Sequence, residues 1–190
     1  MTGPRWVPAA GLALAGALLG WVLFFGLPKW YGERPRPPAT PASPVPAAQG
    51  RRIKARLFYV AASGSKLTSV EQDVPYGEGT IEQAKAILMA QIAPPSPPLA
   101  SAIPPGTALR ALFVTQDGEA FVDFNAAFMT AHPGGSLNEL LTVYTVVQAL
   151  TTNLPLVSAV QLLVDGKEVD TLAGHVDLRR PLANDPGWVE

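Results

Sequence analysis

Cysteine is missing from this sequence altogether. That removes disulfides, thiolate nucleophiles, Cys-ligated zinc, iron–sulfur clusters and the thiol on which a lipoprotein carries its acyl chains. Charge is scarce as well. Asp, Glu, Lys and Arg make up 15% of the 190 residues and the formal net charge is −1. A phosphate backbone would meet no polyelectrolyte surface, so nucleic acid is not an expected partner. Histidine is limited to His132 and His175. Neither stands in an H-E-x-x-H spacing, and neither a G-x-S-x-G elbow nor a Walker lysine accompanies them. No cofactor and no metal are expected.

What is present is unevenly distributed. After a short tail of residues 1–6, Val7 to Leu27 carries no charge, and about 20 apolar residues suffice to cross ~30 Å of hydrocarbon. A single transmembrane signal anchor is expected over 7–27. A cleavable signal peptide would have a shorter apolar run ending in small residues, whereas this one ends in Leu27, Pro28, Lys29, Trp30 and Tyr31. Such aromatic and lysine side chains suit the headgroup belt. Gly16 and Gly20 form a GxxxG spacing that would support a weak helix–helix dimer. Residues 28–50 continue as belt and stalk. Pro35, Pro37, Pro38, Pro41, Pro44 and Pro46 alternate there with small residues, and proline removes the donors that a helix or ladder needs. An extended polyproline spacer of on the order of 50 Å is expected. Flanking charge opposes this picture: Arg5 precedes the anchor, while Lys29, Arg34 and Arg36 follow it. The positive-inside count alone would put the C-terminal side in the cytoplasm, whereas a stiff spacer suits a domain lifted off the outer surface.

Residues 51–190 read as one globular domain. Ile53 to Val60 alternates with period two, and Leu67 to Val74 can pair with it across Gly64. Thr80 and Gln83 form a capping-box pattern before Ile81, Ala84, Leu88 and Ile92 at helical spacing, which predicts a helix over 81–92. Prolines at 94, 95, 97 and 98 end it. Asp117-Gly118 predicts a hairpin between Leu109–Thr115 and Ala120–Phe124. Ser136 and Glu139 form a second capping box, predicting a helix over 137–150; Val157–Val164 then turns at Asp165-Gly166 into a short return through Val169. The order β-β-α-β-β-α-β-β implies an α+β domain, a mainly antiparallel sheet with two principal helices packed on one face, preceded by the one transmembrane helix.

With these landmarks placed, the chain resembles the GerMN domain family, in a single copy. The resemblance rests on LFYV at Leu57–Val60, a helix ending in a proline-rich loop, IPPGTAL at Ile103–Leu109, DGEAFVDFN at Asp117–Asn125, a capped helix carrying Glu139 and Gln148, and VDGK at Val164–Lys167. It singles out Asp123, Asn125, Ser136, Glu139, Gln148, Asp165 and Gly166 as motif positions; family members commonly have Ser where this chain has Asn125. The family is not known for enzymes. The resemblance therefore implies an extracytoplasmic protein-interaction or assembly module in the bacterial cell envelope, on the outer side of the cell membrane, with envelope proteins as partners.

Alternatives remain at the level of sequence: a cell-wall glycan- or peptide-binding module, and a divergent glycan hydrolase using Asp123 and Glu139. Capping and turn chemistry accounts for both acids without catalysis. A Ser136–His132–Asp123 triad competes with the role of Ser136 as helix cap, and the Pro133–Ser136 run would place amides near an anion at a helix start.

Overall fold

In a computed structural model of the chain the described residues are Trp21 and 50–190. Among them no helix is long and apolar enough to cross a membrane. The expected anchor at 7–27, its Gly16–Gly20 contact and the proline-rich stalk lie outside the described residues, Trp21 excepted. The compact unit that carries the fold is Gln49–Glu190.

Its strands are β1 (Arg52–Val60), β2 (Leu67–Pro75), β3 (Leu109–Val114), β4 (Glu119–Phe124), β5 (Ala159–Val164), β6 (Lys167–Glu168) and β7 (Leu182–Ala183), and its helices are α1 (Gly79–Ile92), α2 (Ala127–Thr130) and α3 (Ser136–Asn153). A 3-10 turn, Pro186–Trp188, closes the chain. The fold is α+β, as expected. Both predicted hairpins form: β1 pairs antiparallel with β2, and β3 with β4 through Asp117-Gly118. Asp165 and Gly166 both take positive φ, 50° and 75°, the type I′ geometry that matches strand twist and turns β5 into β6.

The sheet differs from expectation in two ways. There are two sheets rather than one: β1 and β2 stand as a pair, while β3-β4-β5-β6 form the other, with β7 also on β5. Within the larger sheet β4 and β5 run parallel, because α2 and α3 lie between them and α3 carries the chain back across the sheet. Local alternation in a sequence carries no information about strand direction, so a hairpin-only reading misses this crossover. Helices α1 and α3 pack on each other and contact both sheets, α1 against β1, β2 and β3, and α3 against β1, β5 and β7. They join the two sheets.

Ala120, Val122 and Phe124 of β4 and Val160, Leu162 and Val164 of β5 point to the core, the alternation expected of strands covered on one face. Phe124 meets Phe128 of α2 at 4.4 Å between centroids. Helix α3 is rich in β-branched residues, with Thr142, Val143, Thr145, Val146 and Val147 all buried. Such residues form helix poorly alone, so burial between the sheets rather than intrinsic propensity holds α3.

Both capping boxes are corrected. Helix α1 begins at Gly79 with Glu78 in the cap position and no side-chain cap; Gln83 instead accepts from the Gly77 N–H at 2.9 Å and donates to the Pro75 carbonyl at 3.2 Å. Helix α3 has Gly135 as its cap residue, again without a side-chain cap. Gly135 has φ 85°, which Gly adopts freely, and Ser136 thereby becomes the first helical residue. The fourth residue of each motif, Gln83 or Glu139, is instead buried and bonded to backbone groups outside the helix.

Candidate functional site

Glu139 is fully buried in the first turn of α3. A lone carboxylate could not be held there, and it is not alone. One oxygen accepts from the N–H groups of Leu172 (2.8 Å) and Ala173 (2.9 Å); the other accepts from the N–H of His175 (2.9 Å) and lies 3.1 Å from its Nδ1. Burial pushes this carboxyl up, but the amides of Ala173, Leu172 and His175 and the His175 ring outweigh it, and the net direction is below the ordinary value of 4.5. Glu139 thus pins the loop after β6 to the helix.

Asp123, Asp165 and Gly166 come together at the C-terminal ends of β4 and β5. Asp123 Oδ1 accepts from the Gly166 N–H at 2.7 Å, while Arg110 of β3 reaches Asp165 at 3.0 Å and Asp123 at 3.7 Å. Asn125 works on another loop: its Oδ1 accepts from Ala108 N–H and its Nδ2 donates to the Gly106 carbonyl, both at 2.9 Å. Gln148, buried in α3, donates to the Asp185 carbonyl at 2.6 Å, and Tyr144 stacks on Trp188 beside it. Asp123, Asn125, Glu139 and Gln148 are therefore each committed to a backbone segment distant in sequence, while Asp165 is held by the Arg110 side chain.

These commitments leave little for chemistry. Asp123 and Glu139 share no hydrogen-bond partner. His132 accepts from Gly134 N–H through Nδ1 and meets Thr142 Oγ1 through Nε2, so its ring is engaged away from Ser136. Among the described residues no group of three or more His, Asp or Glu side chains could hold a metal ion.

Replacing Asn125 by alanine should cost about 1–2 kcal/mol, since two backbone groups of the 106–108 turn lose their partner. Asn125→Ser should cost less, a hydroxyl restoring one of the two bonds. Urea unfolding of both variants checks this.

Two residues that periodicity alone did not mark have comparable duties. Gln91 of α1 accepts from Phe58 N–H at 2.8 Å and donates to Phe58 C=O at 2.7 Å; Asn153 of α3 does the same for Arg56, at 2.8 and 2.7 Å. The two carboxamides close the edge of β1 that faces away from β2. Glutamine at helical spacing among Ala84, Ile87 and Leu88 is the signal that the sequence offered for Gln91.

An apolar groove of about 800 Å³ lies between the C-terminal half of α1 and the start of β3. Met89, Ile92, Pro94, Pro104 and Leu109 line it, with Lys85 and Arg110 at its walls. A second depression of about 480 Å³ lies between the start of α1 and the end of β3, formed by Ile81, Val114 and Leu156 among others.

A family model described as Germane, sporulation and spore germination, matches residues 56–170. Three solved structures share the fold. A lipoprotein assignment from Clostridium perfringens, a 2.5 Å crystal structure, aligns with TM-score 0.51 and 20% identity over 71% of this chain and 89% of that one. The tandem GerMN domains of the sporulation protein GerM from Bacillus subtilis align with TM-score 0.52 and 18% identity over 71% of this chain and 46% of theirs. The first of those domains alone aligns with TM-score 0.50 and 18% identity over 70% of this chain and 98% of its own length. No curated protein matches the chain.

Proposed function

The chain belongs to the Germane family of sporulation and spore germination domains, and from that membership we propose that it is a non-enzymatic protein-binding module displayed on the outer side of a bacterial cell membrane by its N-terminal apolar segment. One observation carries the reading. Asp123, Asn125, Glu139 and Gln148 are spent on holding loops, while a groove walled mainly by apolar side chains lies beside an open strand. A catalytic carboxylate must be free to meet substrate, and Glu139 has its oxygens filled by three amides and an imidazole. A glycan cleft would favour aromatic platforms; the groove walls contain none. A fold relative assigned as a lipoprotein fits envelope placement, and with no cysteine this chain would need a polypeptide anchor in its stead.

Two measurements test the reading. A phosphatase reporter that is active only outside the cytoplasm, fused after Glu190, should be active; a cytoplasmic signal overturns the envelope placement. Because the chain has no native thiol, single cysteines at Met89, Phe113, Leu156 and Lys167 can each carry a photoactivatable maleimide in cells. A protein adduct from at least one position is expected, and none from any of them overturns the protein-binding reading.

A further inference from the structure

Each sheet edge in this domain is closed or guarded except one. The free edge of β1 is paired by Gln91 and Asn153, and Val60 N–H bonds to Ala100 C=O at 2.8 Å. The far edge of β5 is taken by β6 and β7. The outer edge of β2 carries Glu71 and Asp73 and ends at Pro75, the charged and proline-bearing type that discourages pairing. β3 is the outermost strand of its sheet. Thr115 N–H donates to Glu119 C=O at 2.9 Å, so by antiparallel alternation residue 113 exchanges bonds with β4, and Leu112 and Val114 direct their N–H and C=O groups outward. Among the described residues nothing pairs with them.

Beside this edge lies an unusual face of α1. Its buried side is Gln83, Ala84, Ile87, Leu88 and Gln91. Ile81, Lys85, Met89 and Ile92 follow at i, i+4, i+8 and i+11, a stripe on another side of the helix. Met89 is 66% exposed and Ile81 39%. The two concavities share these walls in order: Met89 and Ile92 meet Leu109 to Ala111, and Ile81 meets Val114. Helix and strand thus border a furrow made of two separate concavities, one at the start of β3 and one at its end.

Resting on the protein-binding reading above, we infer that this furrow takes an extended segment of the partner protein as an added strand on β3. The outward N–H and C=O groups of Leu112 and Val114, beyond the bulge between Leu109 and Ala111, require an extended backbone as their complement, which a helix, with its own bonds satisfied, cannot supply. Side chains alternating along that backbone drop on one face toward the α1 stripe, so the segment is apolar at every second position. Lys85 and Arg110 are the charged residues of the larger groove, which has no carboxylate. Lys85 is paired to Glu82 and Arg110 to Asp165 and Asp123, all outside it, yet each retains further donors. An acidic residue toward one end of the segment therefore completes the match.

The test uses the full chain in detergent micelles and a displayed library of random eight-residue peptides. Enriched peptides should carry apolar residues at alternate positions. Met89→Glu, at an exposed position that leaves thermal unfolding unchanged, should weaken them at least about tenfold. N-methylation of the peptide should abolish binding at alternate residues, those whose N–H faces β3, and be tolerated between them. Enrichment of peptides with helical spacing, indifference to Met89→Glu, uniform tolerance of N-methylation, or no enrichment would each overturn the added-strand inference. Photo-adducts formed only from Lys167, away from the furrow, would also overturn it while leaving the broader protein-binding reading standing.

Discussion

Glu139→Ala should destabilise the domain by about 3–5 kcal/mol, a large share of the 5–15 kcal/mol typical of a domain. The reason is not the loss of a charge. Three backbone N–H groups, of Leu172, Ala173 and His175, lose the acceptor that balances their burial, and an unsatisfied buried donor costs about 1–3 kcal/mol. Glu139→Gln should fall between, since the amide keeps one acceptor oxygen but turns an NH2 toward a donor. Because the folded carboxyl is held below its ordinary 4.5, its contribution is fully present above that value. It is lost as pH falls through the depressed folded value, the sign expected of a carboxylate favoured as its anion. Urea midpoints measured from pH 7 down to pH 3 should drop in the wild type over that interval, and the Glu139→Gln variant should lose part of the drop. A pH profile identical in the two proteins would show that the amide cage does not control acid stability. Hydrogen exchange adds a local readout: the amides of 172–175 should lose protection in Glu139→Ala before those of β4 do.

That carboxylate also shows where sequence reasoning stops. Ser-x-x-Glu before an apolar helix is a legitimate cap pattern, and it put the start of α3 within a residue. It gave Glu139 the wrong partner, because the loop that holds it lies 33 to 36 residues downstream and no local period records a distant contact. Strands with one covered face and hairpins with Asp-Gly turns were readable, since alternation and turn chemistry are both local. The parallel β4–β5 pair was not. Neither was the division into two sheets, because both follow from where α3 returns the chain. The motif positions from Asp123 to Gly166 were visible as a spaced pattern, but the duty of Asp123, Asn125, Glu139 and Gln148, fixing loops by backbone hydrogen bonds, needed the fold. The furrow was hidden for a related reason. Met89 reads as one more apolar helix residue, and only the register of α1 against β3 reveals that it faces outward beside an open edge.

Gln91→Leu should cost about 2–4 kcal/mol, although it replaces a polar residue in the core by an apolar one of similar size. Such a swap is benign when both members of a hydrogen-bonded pair are removed; here the partners are the backbone N–H and C=O of Phe58, which stay buried and cannot be mutated away. Asn153→Leu should cost less, about 1–2 kcal/mol, because its Arg56 contact is exposed and water can replace it. Urea unfolding gives the two costs, and exchange of the Phe58 amide identifies the site, with protection lost in Gln91→Leu and kept in Asn153→Leu. Unchanged stability in Gln91→Leu would mean that the edge of β1 rearranges to find another partner. The double variant carries the larger consequence. With both carboxamides gone, the exposed N–H and C=O of Arg56 are left open at the edge of β1, and an unpaired strand edge associates with others. Concentration-dependent self-association, absent in the wild type and present in the double variant, would establish that the carboxamides of α1 and α3 suppress pairing at the edge of β1.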